Sequence, residues 1–133
     1  MNFEVKINTT LEEQMLAKKV WAIIGANQNP DKYGNMIYKK MKRKNYRVYA
    51  VNPRYQSIDE DPCYASLTDL PEKPDVINIV VSPEIAKPFL KEAAELGINN
   101  IWFQPGTHDD SIMALAVELG LTAVQACVLV ATR

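Results

Sequence analysis

Short apolar segments alternate with amphipathic helical segments along most of this 133-residue chain. A run such as Val20-Trp21-Ala22-Ile23-Ile24 is typical of a strand that is buried on both faces. We predict strands at 20–24, 46–51, 76–81, 100–103 and 121–124, and helices at 33–44, 83–96 and from 109 or 111 to 120. This alternation predicts a single α/β, Rossmann-like domain with a mainly parallel sheet of about five strands and helices on both faces.

Two further segments complete the predicted domain, which spans residues 1–133. Thr10-Leu11-Glu12-Glu13 has the pattern of a capping box, so a short helix should follow to about residue 18. Residues 1–18 are therefore predicted as an N-terminal helical extension. The segment 54–74 is predicted as a loop with a short helical turn at 66–70.

Composition excludes several classes of protein. The net charge is −1, from 15 Lys and Arg against 16 Asp and Glu, so neither nucleic acid nor an anionic membrane is an expected partner. No apolar run approaches the roughly 18 residues of a membrane span, and no signal-peptide pattern opens the sequence. We therefore expect a cytoplasmic protein with two free thiols. The sequence leaves open whether the chain forms a homo-oligomer. One histidine and two separated cysteines do not form a zinc motif, so no metal ligand is assigned.

Ligands of parallel sheets bind outside the carboxyl ends of the strands, which here selects the loops 25–34, 52–55, 82–83 and 104–108. Gly25 ends the first strand and Gly34 begins the following helix, where glycine lets backbone amides approach an anion. The spacing matches neither G-x-G-x-x-G nor a Walker A loop. This loop indicates a nucleotide or phosphate site of unspecified kind, and an ordinary strand-to-helix turn is the alternative.

The loop after the second strand narrows the choice of ligand. A typical NAD site has an acidic residue here that binds the ribose hydroxyls, whereas this chain has Asn52-Pro53-Arg54. A guanidinium favours a ligand with an additional phosphate on its ribose, such as NADP or coenzyme A. A solvated Arg54 is the alternative.

Five segments carry a resemblance to a known family: Ile24-Gly25-Ala26-Asn27-Gln28-Asn29-Pro30, Tyr46-Arg47-Val48-Tyr49-Ala50-Val51-Asn52-Pro53-Arg54, Pro62-Cys63-Tyr64-Ala65-Ser66-Leu67, Pro74-Asp75-Val76-Ile77 and Trp102-Phe103-Gln104-Pro105-Gly106. The chain resembles the small CoA-binding proteins, free-standing Rossmann domains that are similar to the N-terminal domain of succinyl-CoA synthetase α subunits. The resemblance covers about residues 20–127.

The resemblance implies coenzyme A as the ligand and gives each loop a role. The phosphates and nucleotide would lie against Gly25, Ala26, Asn27 and Gln28, and the adenosine 3′-phosphate against Asn52, Pro53 and Arg54. Ser82 and Pro83 would flank the adenine and ribose, and Gln104 would lie near the pantetheine arm. The residues by themselves leave the choice between CoA and NADP open.

The chain departs from the family at its C-terminal segment. Family members typically have Asp-Arg-Cys and end in Glu-His, whereas this chain has Gln125-Ala126-Cys127 and ends in Thr132-Arg133, and it has Asn27 where serine is common. Cys127 follows the last strand, near the expected end of a pantetheine arm. A packing role is the favoured interpretation of this thiol.

We therefore predict a binding or regulatory domain for CoA or an acyl-CoA, with no catalytic residue assigned. Two alternatives are an NADP-linked oxidoreductase and an interaction module that has lost its ligand. The oxidoreductase is less favoured because the chain leaves no room for a substrate domain and has no evident catalytic pair. His108 is predicted as a surface loop residue, and the cations at 39–47 are predicted as a solvated face.

Overall fold

The computed structural model describes residues 10–133. The first helix, α1 (Leu11–Leu16), begins with the predicted capping box. The Thr10 hydroxyl accepts a hydrogen bond from the Glu13 amide at 3.0 Å, and the Glu13 carboxylate accepts one from the Thr10 amide at 3.2 Å. The first nine residues of the predicted extension lie outside the described residues.

The described chain forms one sheet of seven strands in the order β3-β4-β2-β1-β5-β6-β7, and this confirms the predicted α/β, Rossmann-like class. The strands are β1 (Val20–Ile24), β2 (Arg47–Val51), β3 (Ser57–Ile58), β4 (Asp61–Tyr64), β5 (Val76–Ile79), β6 (Asn100–Phe103) and β7 (Thr122–Gln125). The remaining helices are α2 (Tyr33–Arg43), α3 (Pro83–Glu95), α4 (Asp110–Glu118) and α5 (Val128–Ala131). The β3–β4 pair is antiparallel, and the other pairs are parallel.

The prediction that 54–74 is a loop was wrong, because this segment adds two strands to the predicted five. Ala50 and Val51 of β2 pair with Cys63 and Tyr64 of β4, and β4 turns back on the two residues of β3. The sequence of β4, Asp-Pro-Cys-Tyr, is neither an apolar run nor an alternating pattern. Pairing with the free edge of β2 determines its conformation, and that edge exists only in the folded sheet.

The strand order reverses at β1, and this positions the candidate site. The chain runs from β1 to β2 on one side and later returns to β5 on the other side of β1. The crossover helices leave in opposite directions from this point, which opens a crevice at the carboxyl ends of β1 and β5. One apolar cluster on each face of the sheet makes the strand positions rigid. Trp21, Ile23 and Trp102 belong to one face, and Ile24 and Phe103 belong to the other.

The cations of α2 are only partly the solvated face that the sequence predicted. Lys40 donates a hydrogen bond to the Leu129 carbonyl oxygen of α5 at 2.8 Å. Lys42 pairs with Asp61 of β4, and this contact is the main cause that holds the pKa of Asp61 below its usual range. The Tyr38 hydroxyl also donates a hydrogen bond to the Asp61 carboxylate at 2.8 Å. The pKa of Tyr38 is raised, mainly by burial and secondly by this hydrogen bond. These contacts connect α2 to the added strands and to the C-terminal helix.

Candidate functional site

Two cavities meet at the carboxyl edge of the sheet. The larger one, of about 540 Å³, lies between the start of α2 and the segments that follow β1, β6 and β7. The smaller one, of about 350 Å³, lies between the segments that follow β1, β2 and β5 and the start of α3. Both are lined by Gly25, Asn27 and Val80, so they form a continuous groove across the point where the strand order reverses.

Two glycines allow α2 to begin close to the end of β1. Gly25 has φ +103°, and a Cβ atom there would lie 2.9 Å from the Val80 carbonyl oxygen. A Cβ atom on Gly34 would lie 2.1 Å from the Gly25 carbonyl oxygen. Both glycines are therefore required by backbone packing, and the same contact brings the N-terminus of α2 to the groove.

The helices that flank the groove lack the side-chain caps found elsewhere. Among the residues that the structure describes, α1 and α4 are capped by Thr10 and Asp109, whereas the N-cap residues of α2 and α3, Lys32 and Ser82, make no side-chain cap bond. Lys32 lines the larger cavity together with Tyr33. The positive end of the α2 dipole and the Lys32 ammonium thus favour an anion at this position.

Asn52 connects the loop that follows β1 to the loop that follows β2. Its side-chain nitrogen donates to the Ala26 carbonyl oxygen at 2.9 Å, and its side-chain oxygen accepts from the Arg54 amide at 2.9 Å. Asn35 similarly donates to the Asn27 carbonyl oxygen at 2.7 Å. These bonds fix the backbone of the loop after β1 and the start of the loop that carries Arg54.

Seven of the eleven predicted binding residues line the groove: Gly25, Asn27, Gly34, Asn52, Pro53, Arg54 and Gln104. The other four do not line it. Ala26 is fully buried, and the side chain of Gln28 donates to the Ser57 carbonyl oxygen at 3.0 Å. Ser82 and Pro83 lie beside the smaller cavity, whose wall is formed by residues on either side of them, Val81 and Ile85.

Several residues outside the predicted binding set also line the groove. Lys32 could have been found from the sequence, because a helix predicted to start at 33 makes residue 32 its N-cap, close to any anion bound at the helix N-terminus. Tyr33 is 63% exposed at the larger cavity. Ile85 and Phe89 provide apolar wall to the smaller cavity from the first two turns of α3, and Ile85 is 57% exposed. Only the position of α3 beside β5 gives these two residues a common surface.

The charges around the groove are cationic. Within residues 10–133, Arg54 is the one charged residue that lines the smaller cavity, and Lys32 is the one that lines the larger. With no lining carboxylate in that range, both cavities are electrostatically suited to a ligand with separated negative groups.

Gln104 and Cys127 lie at the β6–β7 side of the larger cavity. Gln104 is 4% exposed, and its side-chain oxygen accepts a hydrogen bond from the Val128 amide of α5 at 2.9 Å. Cys127 is the N-cap residue of that helix and is half-buried. His108 lines neither cavity. Its ring packs edge-on against the ring of Phe103, and the two ring centroids are 6.3 Å apart.

The other cysteine, Cys63, lies on β4 and lines neither cavity. Its thiol donates weakly to the Asn52 carbonyl oxygen at 3.5 Å, and burial raises its pKa. The described residues contain no cluster of His, Cys, Asp and Glu that suits a metal ion. None of the helices within 10–133 has both the length and the apolar character to cross a bilayer.

Comparison with known proteins identifies the family. The model of the CoA binding domain matches residues 19–133. The chain belongs to the CoA-binding domain family. This CoA-binding domain resembles a conserved hypothetical protein from Pyrococcus furiosus, with a TM-score of 0.80 and 38% identity over 86% of this chain and 99% of that one. A hypothetical protein from Pyrococcus horikoshii has a TM-score of 0.81 and 29% identity over 91% of this chain and 88% of that one.

The family also connects this CoA-binding domain to much larger proteins. It is 39% identical over 80 residues to an ADP-forming acetate–CoA ligase of Archaeoglobus fulgidus. That alignment covers 60% of this chain and 12% of the ligase, so the chain spans a small part of the length of this relative. The family assignment agrees with the resemblance found in the sequence.

Proposed function

We propose that the groove binds coenzyme A or an acyl-CoA, and that the chain acts as a non-catalytic binding or regulatory domain. The observation that carries the proposal is the pair of cavities that meet at Gly25, each with one lining cation, in a chain of the CoA-binding domain family. CoA has a nucleotide with a 3′-phosphate at one end, a diphosphate, and a pantetheine arm with two amides and a thiol at the other end. The groove has a separate environment for each of these parts.

The smaller cavity fits the nucleotide end. Val81, Ile85 and Phe89 form an apolar wall that suits the face of a purine, and Arg54 lies at the same cavity as the partner for a ribose phosphate. Asn52 holds the backbone amide of Arg54 and thereby positions the segment that carries the guanidinium. Asn52 is a positioning residue in this proposal, because both ends of its side-chain amide are occupied within the protein.

The junction and the larger cavity fit the remainder of CoA. The N-terminus of α2, with Lys32 and the Gly25–Gly34 contact, suits the diphosphate. The larger cavity continues from there to Gln104 and Cys127 and would take the pantetheine arm. Ala26 and Gln28 support the loop backbone in this proposal, through burial and through the bond to Ser57.

Arg54 gives a specific test of the nucleotide end. We expect CoA to bind about tenfold to a hundredfold more tightly than dephospho-CoA, because loss of a charge-assisted hydrogen bond costs about 1.5–3 kcal/mol. Isothermal titration calorimetry with both ligands measures the ratio. The variant Arg54→Ala should bind the two ligands equally, whereas the control Arg43→Ala, at the C-terminal end of α2, should keep the preference.

NADP is the second candidate ligand, because Arg54 at the end of β2 suits a 2′-phosphate as well as a 3′-phosphate. The same calorimeter decides between them. NADP binding with no detectable CoA binding would replace the proposal by a redox role. Absence of binding by either ligand would favour an interaction module.

A further inference from the structure

A further cavity, of about 370 Å³, lies outside the groove, between one face of α2 and the C-terminal helix α5. Asn35, Lys39 and Arg43 line it from α2 at a spacing of four residues, which places them on one side of the helix. Lys40 and Leu129 complete the part of the wall that is used below. None of these residues lines the groove, and no carboxylate within residues 10–133 lines this α2–α5 cavity.

The most buried residue of the α2–α5 cavity has a hydrogen-bond acceptor without a partner. Asn35 is 1% exposed, and its side-chain nitrogen donates to the Asn27 carbonyl oxygen at 2.7 Å. A carbonyl oxygen can only accept, so the other atom of the Asn35 amide is its oxygen, and this Oδ1 accepts no hydrogen bond from residues 10–133. An unpaired buried acceptor is costly, so Asn35 favours a ligand that brings a hydrogen-bond donor into the cavity.

The basic side chains of the α2–α5 cavity favour an anion. Arg43 is exposed and makes no hydrogen bond or ion pair within the described part of the chain. Lys39 is 3.9 Å from Asp59 in a partly exposed pair, and Lys40 uses one of its three N–H groups on a carbonyl oxygen of α5. All three cations therefore keep hydrogen-bonding capacity. Long helical side chains lean toward the helix N-terminus, which brings those of Lys39 and Arg43 toward Asn35.

We propose that the α2–α5 cavity binds inorganic phosphate in its hydrogenphosphate form. The charged oxygens of the anion accept hydrogen bonds from Lys39, Lys40 and Arg43, and its hydroxyl group donates to Asn35 Oδ1. Sulfate is also a tetrahedral dianion but has no hydroxyl group at neutral pH, and the dianion of a phosphate monoester has none either. Cations combined with a buried acceptor therefore select inorganic phosphate from these three anions. The site is separate from the groove, and this inference does not rest on the proposed function.

NMR titration of the isotope-labelled protein at about pH 7.5 tests the proposal with inorganic phosphate, sulfate and methyl phosphate. Methyl phosphate is mostly the dianion at this pH, because the second pKa of a phosphate ester is about 6. The titrations are made at equal ionic strength, so that screening of the lysines is the same. We expect saturable shifts at the backbone amides from Asn35 to Arg43 and at the Asn35 side-chain amide. Phosphate should bind at least about fivefold more tightly than either of the other anions.

Two variants and a matched control locate the site. Arg43→Gln removes an exposed guanidinium, so the chain should remain folded and bind phosphate about fivefold more weakly. The control Lys44→Gln removes the next cation along the chain, which does not line the cavity, and should bind phosphate like the native chain. Asn35→Leu removes the buried acceptor. Where this variant is folded by circular dichroism, it should bind phosphate and sulfate with equal, reduced affinity.

The results that would overturn the proposal are distinct from those that test CoA binding. Equal affinities for phosphate and sulfate in the native chain would remove the role of Asn35. Shifts confined to the groove at Lys32 and Arg54, or equal affinities of Arg43→Gln and Lys44→Gln, would show that the phosphate does not occupy this cavity. Absence of saturable shifts would reject the site altogether. None of these results changes the calorimetric titration with CoA, so the proposed function stands or fails independently.

Discussion

The variant Gly34→Ala is expected to lower the free energy of unfolding by about 3 kcal/mol. By helix propensity alone the change should be favourable by about 1 kcal/mol, because Gly34 lies within α2. The added methyl group would instead lie 2.1 Å from the Gly25 carbonyl oxygen, which is backbone and is held at the end of β1. Steric overlap exceeds the propensity gain, so α2 must move away from the sheet or the turn must break.

Urea denaturation measures this loss, and Gly120→Ala is the matched control. Gly120 has φ +73° with no atom within 4 Å of the added Cβ, so its replacement should cost only about 1 kcal/mol of backbone strain. Where Gly34→Ala remains folded, its affinity for CoA should fall, because the N-terminus of α2 has moved, whereas Gly120→Ala should bind normally. A Gly34→Ala variant that is as stable as the native chain would contradict the close contact.

Asn78 is the site of the second large effect, and its two substitutions should act in opposite directions. It is fully buried in β5, between Ile23 of β1 and Trp102 of β6, and neither polar atom of its side chain has a partner within residues 10–133. Asn78→Leu should raise the free energy of unfolding by about 2 kcal/mol, because it removes unpaired polar atoms and keeps the same branched arrangement of side-chain heavy atoms. Asn78→Asp should lower it by about 3 kcal/mol or more, since it buries a carboxyl group without a partner.

The pH dependence of the Asp variant gives the control. Burial raises the pKa of the introduced carboxyl group, so the folded state holds its proton at pH values where the unfolded state has lost it. The stability of Asn78→Asp should therefore increase, relative to the native chain, as the pH falls from neutral toward the unfolded-state pKa of aspartate. A loss of stability in Asn78→Leu would indicate that the Asn78 amide has a hydrogen-bond partner, such as a buried water molecule.

Local patterns were sufficient for the elements with strong signals. The buried strand β1, the capping box of α1 and the start of α3 at Pro83 were predicted, because each depends on residues that are neighbours in sequence. For α4 the sequence left two starts open, at 109 and 111, and the structure has Asp109 as the cap. The loops after the strands could also be selected, since the carboxyl ends of parallel strands share one edge of the sheet.

The strands β3 and β4 could not be predicted in the same way. Their residues have no strand pattern of their own, and they become strands because β2 offers an unpaired edge. The short helix α5 is a similar case, since its first amide is held by Gln104, 24 residues earlier in the chain. In both cases the partner is distant in sequence, so no local window contains the signal.

The sequence by itself determined the class of the fold, the edge of the sheet where a ligand would bind, and the resemblance to the CoA-binding domains. Only the tertiary structure decided which residues of those loops line the groove. Asn52 lines it with a side chain that is already bonded to Ala26 and Arg54, and Gln28 turns to Ser57. Lys32, Ile85 and Phe89 line the groove because α2 and α3 begin beside the ends of β1 and β5. Side-chain direction depends on partners brought together by packing, and sequence patterns do not contain those partners.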